Sequence, residues 1–424
     1  MFADFKSWSP LWSINDYVDI FHNTPFNVCV EVQFLLLLSL SVYDAFFLQK
    51  DRFHRIVIYA AFMSGVAVLS FVVLHPQMGN VYFSQFIFML FDHRLPAIGI
   101  VGAFTWFSYI AVTFPWHMNF HSILAEYAFT NLLVAFLWSP FEIMATHFLL
   151  WSWHNDDHFL RDRYGKHPIA ATLWIMAWIS GFQFMLSLYR WYYSSPRSQR
   201  KPVDSTQIGH GRCLWIAANV AVGGTIWANV PFNFWFHPLN HFMEWHSSKS
   251  LHCYQLLCAV VVAAYSMWNI GKLRLRYLKK PLYFRLGLQV LVIYGYGSTA
   301  LMAHFEDIGD RGFRSTSYHQ TLGERKGTEW SYWKWFERRK HVIGFAVNGD
   351  VDNYDFRCLD YGNEIVPALM EAGGHLDWYP LCVTGLEQQF VKQFFILLFI
   401  GILLAVVAQT VTFEHRPKRK EKVL

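Results

Sequence analysis

Long apolar runs separated by short polar stretches organise the chain. A helix needs about 20 mostly apolar residues to cross roughly 30 Å of hydrocarbon. Nine runs reach that length: Phe26–Leu48, Arg55–Leu74, Leu95–Phe114, Ser122–Trp151, Pro168–Tyr189, Cys213–Val230, Leu251–Ile270, Leu286–Ala303 and Phe390–Val411. The fourth contains Pro140, which predicts a kink. Val81–Phe91 is too short to cross and predicts an interfacial or re-entrant helix. The expected fold is therefore an all-α polytopic membrane protein. It has about nine transmembrane helices and a small mixed α/β extracytoplasmic cap. In chain order these are an outer N-terminal segment (1–25), an eight-helix bundle (26–304), the cap loop (305–389), the ninth helix (390–412) and a basic tail (413–424).

Composition supports that pattern. The chain is 54% hydrophobic and only 15% charged, against about 25% charged in soluble domains. This excludes the two or three soluble domains that the length alone would allow. The residues before the first run carry Asp4, Asp16 and Asp19 and lack a basic stretch leading into an apolar core. The first span is therefore expected to act as the targeting signal.

Charge sets the expected orientation. Lys50, Arg52 and Arg55 lie between spans one and two, and Arg190, Arg197, Arg200, Lys201 and Arg212 between spans five and six. Lys272, Arg274, Arg276, Lys279, Lys280 and Arg285 follow span seven, and "HRPKRKEKVL" follows span nine. In a nine-span count all four segments share one side, which the positive-inside rule makes cytosolic. Arg161, Arg163 and Lys166 fall on the other side and run against the rule. The net charge of +5 is thus an orientation signal, and nucleic-acid binding has no support. Membrane lipids are the expected surroundings; the basic tail and the "KLRLRYLKKP" loop could touch anionic headgroups, though as plain topology determinants they need no such contact.

That orientation sorts the histidines to the outer side. In "HFLLWSWHNDDH", His147, His154 and His158 are seven and four apart. If the fourth helix continues past the membrane edge, the three lie within about 20° of one direction. Asp156 and Asp157 stand beside that face as orienting groups or a general base. A spacing of four on a helix suits two ligands to one metal. "HPLNHFMEWH" adds His237 and His241 at the same spacing, with Glu244 nearby. His93 precedes span three, and His304 follows span eight. Together these residues would serve one or two zinc or iron ions. A belt of interfacial His and Trp residues would produce a similar pattern. Glu31 and Glu142 are carboxyl groups inside spans, in the outer half, where ionisable groups mark function or a polar interior. Cys358 and Cys382 both fall in the cap loop and are expected to bridge in an oxidising compartment.

The paired H-x-x-x-H segments resemble those of histidine-box membrane enzymes, the lipid hydroxylases and desaturases. No H-x-x-H-H box is present, and the predicted face is the opposite one. Several histidines and an aspartate at helix ends are similar to the multi-span zinc hydrolases of the alkaline ceramidase and progestin receptor-like group. Neither motif set maps onto this chain residue by residue, so the chain is read as one of a separate multi-span family. Three functions follow. The first is a metal-dependent hydrolase acting on a lipid-like small molecule at the outer leaflet. The second is a proton-coupled carrier that uses Glu31 and Glu142. The third is a receptor or assembly subunit with purely interfacial histidines.

Overall fold

The computed structural model describes residues 11–74, 81–91, 93, 95–117, 120, 122–147, 150–153, 162–164, 167–194, 205–243 and 245–269, with short strands at 273–277, 314–315, 379–380 and 411–415. Strand β1 (Trp12–Ile14) leads into helix α1 (Tyr17–Asn23), whose first turn is capped by Asp16 Oδ1 accepting from Val18 N at 2.9 Å. Helix α2 (Pro25–Tyr43) begins with proline at its first position, where no backbone donor is needed. It runs into a π turn, Asp44–Leu48. Helix α3 (Phe53–Leu74) is capped by Asp51 Oδ1 accepting from Phe53 N at 3.0 Å.

The chain then forms β2 (Val81–Phe83), β3 (Phe88–Leu90) and β4 (Leu95–Pro96). A π turn, Ala97–Gly102, opens into α4 (Ala103–His117). Helix α5 (Ile123–His147) is followed by strands β5 (Trp151–Trp153), β6 (Arg163–Tyr164) and β7 (His167–Pro168). Helix α6 (Ile169–Ser194) precedes α7 (His210–Pro231), which continues through a π turn, Phe232–Phe236, into α8 (His237–Met243). Helix α9 (Ser247–Trp268) is followed by β8 (Leu273–Tyr277), β9 (Arg314–Ser315), β10 (Tyr379–Pro380) and β11 (Val411–His415).

Six of these helical segments are long and apolar enough to cross a membrane: Phe26–Leu48, Ala97–Trp116, Ile123–Ile143, Ile169–Tyr193, His210–Asn240 and Ser247–Trp268. Helix α3 overlaps the second predicted run, but its apolar stretch, Phe53–Leu69, is shorter than those six. The eighth and ninth runs and nearly all of the cap, with Cys358 and Cys382, lie outside the described residues. The structure corrects two expectations. Val81–Phe91 is not a helix: it is two strands joined by a buried polar loop. The fourth span does not continue as a helix through His158. It ends at His147, Leu150 N donates to Ala145 O at 2.7 Å, and residues 151–153 turn away to pair with β2. Cross-strand pairing of Trp151 with Phe83 and Trp153 with Val81 satisfies backbone groups that a further helical turn would hold internally.

Helix α4 occupies the centre, with every residue from Gly99 to Trp116 buried. Around it lies an aromatic layer in which Phe34 meets Phe141 at 5.0 Å, Phe107 meets Trp138 at 4.8 Å and Phe104 meets Trp178 at 4.2 Å between ring centroids. Helices α6 and α7 cross where Gly181 faces Gly224, and a Cβ on Gly181 would collide with the Gly224 carbonyl oxygen. Only hydrogen fits there, so the backbones touch, as small residues allow in membrane bundles.

The up-and-down order defines two ends. The near end holds β1, α1, strands β2 to β7 and α8. The far end holds the α2–α3 turn, the α6–α7 connection and the strand that follows α9. Arg52 Nε donates to Thr206 O at 3.2 Å, which ties two basic connections together at the far end.

Candidate functional site

The near end is built on a polar framework under the loop between β2 and β3. Glu31 projects from α2, is 2% exposed, and accepts from the backbone N–H groups of Ile87 at 2.8 Å and Phe88 at 3.1 Å. Asn27, one turn earlier, donates to Gln85 O at 2.8 Å and to Ser84 Oγ at 3.1 Å. Asn15 donates to Phe86 O at 2.7 Å and to Gln85 Oε1 at 3.1 Å. These bonds satisfy irregular backbone at membrane depth, which is tolerated only where protein surrounds it. Phe86 then plugs the space above Gly99, where an added Cβ would be 2.6 Å from its ring. Glu31 is therefore a clamp on this loop, with both oxygens engaged.

His93 belongs to the same framework. It sits in the turn joining β3 to β4 with φ +62°, and Phe91 has φ +53°. Both values lie in the left-handed region that side chains seldom adopt. Ser13 Oγ and His93 Nδ1 share a hydrogen bond of 3.3 Å, and Gln85 Nε2 donates to His93 O at 3.1 Å. This side chain is buried in a structural turn.

Glu142 is placed differently. It lies on α5 near the near end, is 2% exposed, and its Oε2 accepts no hydrogen bond from any described residue. His167 of β7 brings Nε2 to 3.8 Å from that oxygen, and Thr172 Oγ1 lies 2.9 Å from the same nitrogen. The β6–β7 pairing of Tyr164 with His167 and of Arg163 with Pro168 fixes the imidazole's strand. Asp162 holds the approach by accepting from Ser248 N at 2.7 Å. Helix α5 thus ends five residues beyond Glu142, and the chain is back beside that carboxyl at His167.

Of the expected metal ligands, His147 is the last residue of α5, and His237 opens α8 with its ring centroid 5.9 Å from Phe232. His241 shares the short helix with His237, as its spacing requires. The His147 and His241 side chains, and all of His154, Asp156, Asp157, His158, Glu244 and His304, lie outside the described residues. Among the described residues no group of three or more His, Cys, Asp or Glu side chains is placed to hold a metal ion.

A second polar centre, which the sequence reading misses, lies at the far end. Tyr109 donates to Asp44 Oδ2 at 2.7 Å, and Gln49 Nε2 donates to Asp44 Oδ1 at 3.0 Å. Glu126 Oε2 accepts from Ser187 at 2.6 Å and from Gln183 at 2.8 Å, while Arg190 approaches Oε1 at 3.7 Å. The Arg190 guanidinium lies 4.4 Å above the Trp116 ring, and His54 meets the same ring edge-on at 5.4 Å. The signal for Glu126's partners is present in the sequence: Gln183, Ser187 and Arg190 recur at intervals of four and three along one face of what becomes α6.

Long apolar helices, a buried aromatic middle and polar centres confined to the two ends define a polytopic integral membrane protein. The chain belongs to the family defined by a domain of unknown function, DUF7802, whose model matches residues 5–413. No curated protein and no solved structure matches it.

Proposed function

We propose that this chain is a membrane-embedded, metal-dependent hydrolase of a lipid-like substrate, with its reaction centre at the near end. The observation that carries the reading is the Glu142–His167 pair. A carboxylate oxygen that accepts no hydrogen bond among the described residues stands 3.8 Å from an imidazole, both buried. The expected ligands His147, His154 and His158 would hold the ion beside this pair, with His237 and His241 as further donors. Zinc or iron suits such nitrogen and oxygen ligands.

A bound metal would supply a water that loses its proton near neutral pH. Glu142 would take up that proton and return it to the leaving oxygen or nitrogen as the substrate's acyl–oxygen or acyl–nitrogen bond breaks. His167, held by the Thr172 hydroxyl, orients the carboxylate. The far end carries the basic connections, so the near end faces away from the cytosol by the positive-inside rule. A carrier reading needs a polar path between the ends, and the layer around Phe104, Phe107, Trp138 and Trp178 separates them within the described residues.

Turnover of glycerophospholipids and ceramide-like lipids by protein reconstituted in nanodiscs, followed by mass spectrometry of the products, tests the reading. Product release should stop in the presence of a chelator. It should fall by about a hundredfold or more in Glu142→Gln, the usual worth of a general base. Turnover indifferent to both treatments, or absent for every lipid offered, would overturn it.

A further inference from the structure

At the near end, β1 and α1 turn apolar side chains outward. In the β1–β3 ribbon Trp12 stands opposite Leu90, Ser13 opposite Met89 and Ile14 opposite Phe88. Residues paired directly across a ribbon share a face, and successive residues alternate between faces. One face therefore carries Ser13 and Met89, both buried. The other carries Trp12, Ile14, Phe88 and Leu90, of which Trp12 and Phe88 are exposed and the other two half-buried. An antiparallel ribbon with one face on a core and the other in water carries polar side chains on that outer face.

Helix α1 repeats the arrangement. Ile20 is 1% exposed, while Tyr17, Val18 and Phe21 are 58%, 55% and 57% exposed. At about 100° per residue these three fall on one face of the helix, with Asp19 and His22 flanking it. The helix packs on α2, a candidate membrane span whose Val32, Leu35 and Leu36 are exposed in the same way. Two features set the depth of the unit. Strand β1 lies at the edge of the sheet β1–β3–β4, and an open sheet edge is not tolerated within the hydrocarbon. Asp16 and Asp19 are exposed beside the apolar face, and charges of this kind belong at headgroup level or in water.

We propose that β1, α1 and the outer face of β3 lie in the plane of the near-end leaflet, with Trp12, Tyr17, Val18, Phe21 and Phe88 set among the upper acyl chains of its phospholipids. An apolar face sunk just below the headgroups, with polar groups along its border, is how in-plane elements bind a bilayer. The acidic border suits zwitterionic phospholipid, since it gains nothing from an anionic surface. The inner side of the unit is bonded to the near-end framework. Asn15 donates to Phe86 O, and Ser13 shares its hydrogen bond with His93. Lipid packed on the outer face therefore bears on the same loop that Glu31 clamps, whether or not the near end is a hydrolase.

The test uses full-length protein in phosphatidylcholine nanodiscs doped with a phosphatidylcholine that carries a diazirine on its acyl chain. Illumination generates a carbene, and mass spectrometry maps where it inserts. Hydroxyl-radical oxidation of undoped nanodiscs maps contact with water. In wild type, Trp12, Tyr17 and Phe21 should take carbene adducts as Leu35 and Leu36 do, and should stay largely unoxidised. Val18→Asp combined with Phe21→Asp should lose most of the adducts at Trp12 and Tyr17 while Leu35 and Leu36 keep theirs. Oxidation of Trp12, Tyr17 and Phe21 without adducts overturns the proposal, and so do adducts that the double variant leaves unchanged. Protection from both labels means that protein covers the face, a second copy of this chain included, and overturns it as well. If the double variant does not yield monodisperse protein, the two wild-type maps decide alone.

Discussion

Glu31 and Asp44 lie on the same helical run from α2 into its π turn, yet they do different work. Glu31 reaches backbone N–H groups of the loop before β3, while Asp44 receives a phenol from α4 and an amide from the turn after its own helix. The contrast extends across each end. Near-end polar groups from Asn15, Asn27 and Glu31 hold irregular chain in place. Far-end groups close on one another between helices, as Glu126 does with Gln183 and Ser187. An end that positions loops can shape a site, whereas an end that joins helices fixes the frame. Glu142 departs from both patterns, because its Oε2, near His167, accepts no hydrogen bond among the described residues.

Breaking what both ends share should have the largest effect. Gly181→Leu places a side chain against the Gly224 backbone and should prevent recovery of monodisperse protein, read by size-exclusion chromatography in detergent. Glu31→Ala comes next. Two buried N–H groups lose a charged acceptor, at a cost of about 3 kcal/mol or more. Hydrogen exchange at Ile87 and Phe88 should accelerate while the far end stays protected. Glu126→Ala should cost about 1–2 kcal/mol in thermal unfolding, because Arg190 is 30% exposed and solvent screens its loss of a partner. Tyr109→Phe removes one hydrogen bond to a carboxylate and should cost about 1–2 kcal/mol, with far-end exchange rising and near-end exchange unchanged. Glu142→Gln should change stability by less than about 0.5 kcal/mol, since no described hydrogen bond to Oε2 is lost. If Glu142→Gln destabilised the protein as much as Glu31→Ala, the distinction between clamp and reaction centre would disappear.

Hydropathy makes the six candidate spans legible, because a span's length and apolarity are local properties. The β2–β4 region escapes it for the opposite reason. Its apolar residues look helical or interfacial, but the partners that satisfy Ser84, Gln85 and Phe86 are Asn15 and Asn27, far away in sequence. The end of α5 is equally hard to place, because strand pairing with Val81–Phe83 is non-local as well. Glu142 is visible as a carboxyl in an apolar span. Its partner His167 is one histidine among 20, distinguished only by the turn that returns it. The far-end cluster is visible in fragments, since Asp44 and Gln183 stand out singly while Arg190 reads as a topology charge.

The metal content of the purified protein tests the central claim most directly. The account predicts about one zinc or iron per chain in wild type, retained through gel filtration. His154→Ala combined with His158→Ala should lose it, and Glu142→Gln should keep it, with helix content unchanged in each. Wild-type protein that is folded, monodisperse and free of stoichiometric metal would contradict the assignment of a metal-dependent centre to the near end.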